Sequence, residues 1–172
     1  MVIVLMGYMG SGKSIISNKL SQILNFEHLD LDNYIEIKED MSVSDIFKSK
    51  GEIYFRKKEN EYLNEVITKE NTVIALGGGT PCYGSNMNLI LQSDNVISIY
   101  LKTSIKNLAN RLITETSKRP LISHIETIDE LSEYIGKHLF ERSFYYNQSK
   151  ILINTDEKSI DDIVEAILFQ LL

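Results

Sequence analysis

The chain has 172 residues, 43% of them hydrophobic and 24% charged, with a formal net charge of −6. This length suits one domain that buries about 70% of the surface its unfolded form exposes, and the composition argues against disorder. The acidic balance disfavours a nucleic-acid partner, although a local basic cleft could still hold a small anion. The single cysteine, Cys82, excludes an internal disulfide, and no apolar run approaches the roughly 20 residues that span a bilayer. The opening MVIVLM lacks the basic stretch of a signal peptide, so a cytoplasmic protein without a membrane partner is expected.

In chain order, residues 2–6 (VIVLM) are wholly apolar and end at glycine, as a strand buried on both faces of a parallel sheet would. The periodicity then predicts a helix over 13–25, with Ile15, Ile16, Leu20, Ile23 and Leu24 on one face. A strand is expected over 26–30, helices over 32–38, 43–49 and 51–69, and a strand over 72–76. Further on come a helix over 85–92, a strand over 96–101, helices over 104–113 and 127–148, a strand over 150–154 and a helix over 158–171. Capping boxes are expected where Ser42 precedes Asp45 and Thr127 precedes Glu130 by three residues. The alternation of strand and helix predicts an α/β fold with a mainly parallel sheet. TETSKRPLISHIE (114–126), polar and broken by Pro120, has the length at which irregular loops tend to be lids or binding loops.

Gly7-x-x-x-x-Gly12-Lys13-Ser14 matches the phosphate-binding loop pattern and lies between an apolar strand and an amphipathic helix, as the pattern requires. Gly7, Gly10 and Gly12 let backbone N–H groups turn around phosphate oxygens at the positive end of the helix. Lys13 would reach the β- and γ-phosphates, and the Ser14 hydroxyl would bind Mg²⁺. The apolar runs 72–76 and 96–101 end in Gly77-Gly78-Gly79 and Lys102-Thr103, not in the aspartate of large ATPases, and the guanine-selecting Asn-Lys-x-Asp is absent. The acid is therefore sought in HLDLD, whose Asp30 and Asp32 would point to one side of an extended chain or, alternatively, cap the next helix. Three glycines at a central strand end point to close approach of a ligand to the backbone. Arg56, Arg119 and Arg142, each unremarkable alone, complete a scattered basic set.

Taken together, LDLD, FRKKE, ALGGG, KRPL and RSFYY, in this order behind the loop, resemble shikimate kinase over Gly7 to Tyr146. The resemblance implies one three-layer P-loop kinase domain over 1–172, with a central five-stranded parallel sheet in the order 2-3-1-4-5 and flanking helices. It also implies a substrate-binding segment at about 32–60 and a mobile lid at about 112–126. The activity implied is transfer of the γ-phosphate of ATP to the 3-hydroxyl of shikimate, with Mg²⁺, by a monomer. Gly10, Ser11, Gly12, Lys13, Ser14, Ile15, Arg111 and Arg119 would bind the nucleotide, with Arg111 packed on adenine. Ser14, and Asp30 through water, would hold the metal. Asp32, Arg56, Gly77, Gly78, Gly79 and Arg142 would bind shikimate, and Lys13, Asp32 and Arg119 would serve catalysis. Arginine's planar fork suits the acceptor's carboxylate.

The chain departs from the family pattern at Phe144, where a proline is usual, and at NQSK after Tyr146, where an acid is usual; both bear on how the last strand is entered. Lys158 is the one basic residue placed to meet adenine after that strand. His28, His124 and His138 lack metal-ligand spacing and are expected to be structural, and Cys82 inert. A gluconate-type small-molecule kinase and a non-catalytic nucleotide-binding module are the alternatives, the first poorly matched by LDLDNYIE.

Overall fold

A computed structural model describes residues 1–172. The first strand, β1 (Val2–Met6), is the middle of a five-stranded sheet whose other members are β2 (Glu27–Asp30), β3 (Thr72–Ala75), β4 (Val96–Lys102) and β5 (Ile151–Asn154). The order is β2-β3-β1-β4-β5 and every pairing is parallel, as expected. Val2 is in register with Thr72 on one side and Val96 on the other, so all of β1 is enclosed by neighbours and can be wholly apolar.

Successive side chains of β1 face opposite ways, and this divides the interior. Val2, Val4 and Met6 join a core with Ile74, Tyr100, Leu31, Phe55, Leu63 and Tyr146. That core lies against α2 (Leu31–Glu39), α3 (Val43–Val66), α4 (Asn86–Gln92) and the end of α6 (Ile128–Tyr146). Ile3 and Leu5 join Ile16, Leu20, Ile99, Ile163 and Ile167 beneath α1 (Lys13–Leu24) and α7 (Ile160–Leu171). A third, smaller cluster unites Tyr8 with Leu108 and Leu112 of α5 (Ile105–Leu112), Ile122, Leu131 and Ile135.

Several expectations are corrected in detail. The face expected to unite Ile15, Ile16, Leu20, Ile23 and Leu24 is split: Ile16 and Leu20 are buried, but Ile15 and Ile23 are exposed, because a helix one side of which meets the sheet cannot bury a wider arc. The helices expected over 43–49 and 51–69 run on as α3, interrupted only by Gly51 at φ 85° and ψ 171°, and end at Val66. Neither expected capping box closes. Ser42 and Thr127 accept from the amides of Asp45 and Glu130, but the reciprocal bond to the cap amide forms only at Ser159 and Asp162, ahead of α7. The segment 114–126 contains 3₁₀ turns, Ile113–Lys118 and Pro120–Ile122, rather than structureless chain.

Candidate active site

The loop after β1 turns tightly into α1. Gly12, at φ 95°, takes the cap position of that helix in a left-handed conformation that a side chain would strain. Lys13 folds back so that its Nζ donates to the carbonyls of Gly7 (2.8 Å) and Tyr8 (3.0 Å), a closed loop around an inward-facing ammonium. Burial pulls its pKa down to about 8, against the opposing pull of Asp32 and Asp30. The Ser11 hydroxyl is buried without a partner.

Of the two arrangements open for Asp30 and Asp32, the structure takes helix capping for Asp30. The chain is not extended through both: β2 stops at Asp30, which caps α2 by accepting from the Asn33 amide at 3.2 Å, and Asp32 sits in the first helical turn. Both still border one cavity of about 590 Å³ together with Lys13 and Ser14, because the C-terminal edge of a parallel sheet collects strand ends and helix starts. Burial, then the charges of Asp30 and Glu59, push Asp32 up to about 6, while Lys13 and Arg56 pull it back.

The same cavity is bordered by Gly10, Ser11, Ile15, Arg111, Arg119 and Lys158. Arg111, in the last turn of α5, donates to the Gly10 carbonyl at 3.0 Å. Arg119 pairs with Glu115 of the preceding 3₁₀ turn, with Nε at 2.9 Å and an Nη at 2.8 Å from one carboxylate oxygen.

A second cavity, of about 380 Å³, adjoins the first; Asp32, Gly77, Gly78 and Arg119 border both. Arg56, Glu59, Gly79 and Arg142 border only the second. Arg56 is fixed on several sides. It donates to both carboxylate oxygens of Glu59 (2.8 and 3.1 Å), and its guanidinium carbon lies 3.7 Å from the centroid of the Tyr83 ring. Glu59, 1% exposed, also accepts from the Thr80 hydroxyl at 2.7 Å. Arg142, on α6, lies 5.5 Å from the centroid of the Tyr8 ring.

The three glycines are explained by what crowds them. A Cβ on Gly77 would stand 2.8 Å from an Asp32 carboxylate oxygen, one on Gly78 would stand 3.4 Å from an Arg142 nitrogen, and one on Gly79 would stand 3.0 Å from an Arg56 nitrogen. Gly77 and Gly79 thus make room for Asp32 and Arg56, while Gly78 brings the backbone within contact distance of Arg142. The Gly78 carbonyl accepts from the Tyr146 hydroxyl, which ties α6 to the strand end. Phe144 points outward at 72% exposure, so the residue that replaces the usual proline leaves α6 continuous to Tyr146. The chain then enters β5 through Asn147 and a short turn, with the Lys150 amide bound to the Ser98 hydroxyl.

Glu59, Tyr83 and Glu115 were not singled out from the sequence. Glu59 alone had a readable signal, its place three residues after Arg56 inside FRKKE, where helix neighbours meet. Of the residues expected to be structural, His28 binds the Ser17 hydroxyl (2.8 Å), His138 binds that of Tyr8 (2.8 Å), and the His124 ring meets Tyr134 edge-on. Burial pushes the Cys82 thiol up to about 11, away from nucleophilic use.

The family model described as shikimate kinase matches residues 9–172. A shikimate kinase of Flavobacterium johnsoniae is 50% identical over 167 residues, covering 96% of each chain. The crystal structure of shikimate kinase from Bacteroides thetaiotaomicron superposes with a TM-score of 0.91 at 32% identity, covering 99% of this chain and 98% of that one. Shikimate kinase from Acinetobacter baumannii, solved in complex with shikimate, gives a TM-score of 0.86 at 29% identity over 99% and 92% of the two chains.

Proposed function

The chain belongs to the shikimate kinase family, and from that premise we propose how its residues divide the reaction between the two cavities. The enzyme moves the γ-phosphoryl group of ATP to the 3-hydroxyl of shikimate, a step toward the aromatic amino acids. The observation that supports the division most is the position of Asp32. It borders both cavities, with the loop lysine on one side and two arginines on the other.

In this reading the larger cavity takes ATP. Loop amides from Gly10 to Ile15 and the Lys13 ammonium hold the phosphates, Arg111 and Lys158 flank the base, and Arg119 leaves Glu115 for the transferring group. The smaller cavity takes shikimate, whose carboxylate pairs with Arg56 and Arg142 while its hydroxyls meet Asp32 and the backbone of Gly77, Gly78 and Gly79. Asp32, ionised above about pH 6, accepts the hydrogen bond of the 3-hydroxyl and aims that oxygen at phosphorus. Phosphoryl transfer needs positioning and charge neutralisation more than covalent help, which is what lysine, arginine and aspartate supply here.

A hydroxyl and two carboxylates on one cavity wall form an oxygen donor set suited to a hard cation. No cluster of three or more His, Cys, Asp or Glu forms a protein-only cage, which fits an ion held largely by water and substrate phosphates. Ser14, and Asp30 through water, would hold Mg²⁺; when bound it neutralises charge on the β- and γ-phosphates. We further propose a cytoplasmic monomer that works without nucleic acid or membrane. No helix is long and apolar enough to cross a bilayer.

With ATP and Mg²⁺, the purified protein is expected to release ADP only when shikimate is added. A panel including gluconate and quinate tests acceptor choice, and absence of turnover with shikimate rejects the reading.

A further inference from the structure

Tyr8 belongs to the phosphate loop but its side chain turns away from the loop's interior. Its carbonyl holds Lys13, while its ring, 1% exposed, packs among Leu112, Ile122, Leu131 and Ile135. The hydroxyl meets Nδ1 of His138 at 2.8 Å, a contact spanning 130 residues of sequence. His138 stands one turn before Arg142 on α6, so the two share a helix face, and the Arg142 guanidinium lies over the Tyr8 ring. One turn earlier, Tyr134 packs edge-on against His138 with ring centroids 4.5 Å apart.

A phenol is a better donor than acceptor, so the contact is assigned as the Tyr8 hydroxyl donating to a bare Nδ1 of a neutral imidazole with its proton on Nε2. Burial, and then the Arg142 charge, keep His138 below its ordinary range, opposed by Glu141, and burial raises the Tyr8 phenol. Tyr8 from the loop and Tyr134, Glu141 and Arg142 from α6 are the titratable and charged groups around the imidazole; His124 reaches it only through Tyr134. Neither His138 nor Tyr8 has a part in the reaction proposed above beyond the Tyr8 carbonyl.

We propose that Tyr8 and His138 form a positioning pair for the acceptor. The neutral imidazole anchors the Tyr8 hydroxyl, the anchored ring forms a shelf beneath Arg142, and the carboxylate clamp is thereby held in register with the loop that carries the phosphates. This rests on the reading that Arg142 binds the shikimate carboxylate.

Steady-state kinetics on Tyr8→Phe, His138→Leu, their double variant, His138→Asn and Arg142→Ala test it. Tyr8→Phe and His138→Leu should each raise the shikimate KM about 3- to 10-fold, the range of one net hydrogen bond, with kcat and the ATP KM within about twofold. The double variant should be no worse than either single one. His138→Asn, whose Oδ1 replaces Nδ1 as acceptor, should recover most of the loss. The proposal is overturned if Tyr8→Phe, a one-atom change, leaves the shikimate KM within twofold, if the single effects add, or if the ATP KM rises equally. Arg142→Ala separates the two readings. If it leaves the shikimate KM unchanged, the clamp itself is wrong; if it raises the KM while Tyr8→Phe and His138→Leu are silent, only the positioning pair fails.

Discussion

The two cavities are built by different means. The larger one takes its longest stretch of lining from eight consecutive residues, Met9 to Ile16, and the rest from the ends of β2 and β3, α5, the segment after it and the start of α7. The smaller one takes its charged groups from α2, α3, the segment after α5 and α6, which supply Asp32, Arg56 with Glu59, Lys118 with Arg119, and Arg142, around the glycines that follow β3. The contrast extends to the arginines. Arg56 is bound to a buried carboxylate and stacked on a ring, whereas Arg119 pairs with Glu115, four residues away, in a half-buried ion pair. In the proposed division, the cavity assigned to the small acceptor is pre-built, and the arginine assigned to the phosphates is loosely held.

If the acceptor cavity is pre-built in this sense, breaking its buried pair should have the largest effect. Glu59→Ala leaves Arg56 and Thr80 without their shared acceptor, and should destabilise the fold by about 3–4 kcal/mol, read as a lower urea midpoint. A shift no larger than that of a surface substitution would show Arg56 to be adaptable. Next comes Arg142→Ala, which should weaken shikimate binding by about 2–3 kcal/mol and leave ATP affinity nearly unchanged in calorimetry. Equal loss of both ligands would contradict separate cavities.

The pH profile probes the group shared by the two. Asp32 must be ionised to accept the hydroxyl proton, so kcat/KM for shikimate should rise with pH through about 6. Lys13 must be charged to meet phosphate, so kcat/KM for ATP should fall as pH passes about 8. Bound phosphates stabilise the ammonium, so the alkaline limb of kcat should lie higher than that of kcat/KM. Asp32→Asn should remove the acid limb, and its persistence would assign that limb to another group. The smallest effect is expected at Tyr83. Tyr83→Leu should raise the shikimate KM about 3- to 10-fold, while Tyr83→Phe keeps the stack and nearly the wild-type value.

The loop part of the larger cavity, Gly10 to Ile15, is readable in the sequence residue by residue, because its spacing is fixed over contiguous positions, whereas Glu115, Leu76, Ile160 and Ile163 on the same walls are not. Strand order came from the resemblance rather than from periodicity, which shows only that strands and helices alternate. For Asp30 and Asp32 the capping alternative holds: Asp30 ends β2 and caps α2, and Asp32 lies in its first turn, so helix geometry and not an extended chain brings both to one cavity. Glu59, Tyr83 and the Tyr8–His138 contact had weak signals or none, since what they do depends on partners up to 130 residues away.

The sequence by itself determined that a phosphate-binding loop pattern stands at Gly7–Ser14, that apolar strands alternate with helices, and, through its scattered motifs, which acceptor class to expect. Only the tertiary structure decided how charge is arranged in the second cavity. It set each of Gly77, Gly78 and Gly79 against a different charged group, buried Glu59 beneath Arg56, and put Tyr8 under Arg142. The physical reason is one of range: hydrogen-bonded loops and helix periods are short-range properties of the chain, whereas the partners that bury and orient a charge are assembled only when the parallel sheet brings its strand ends to one edge.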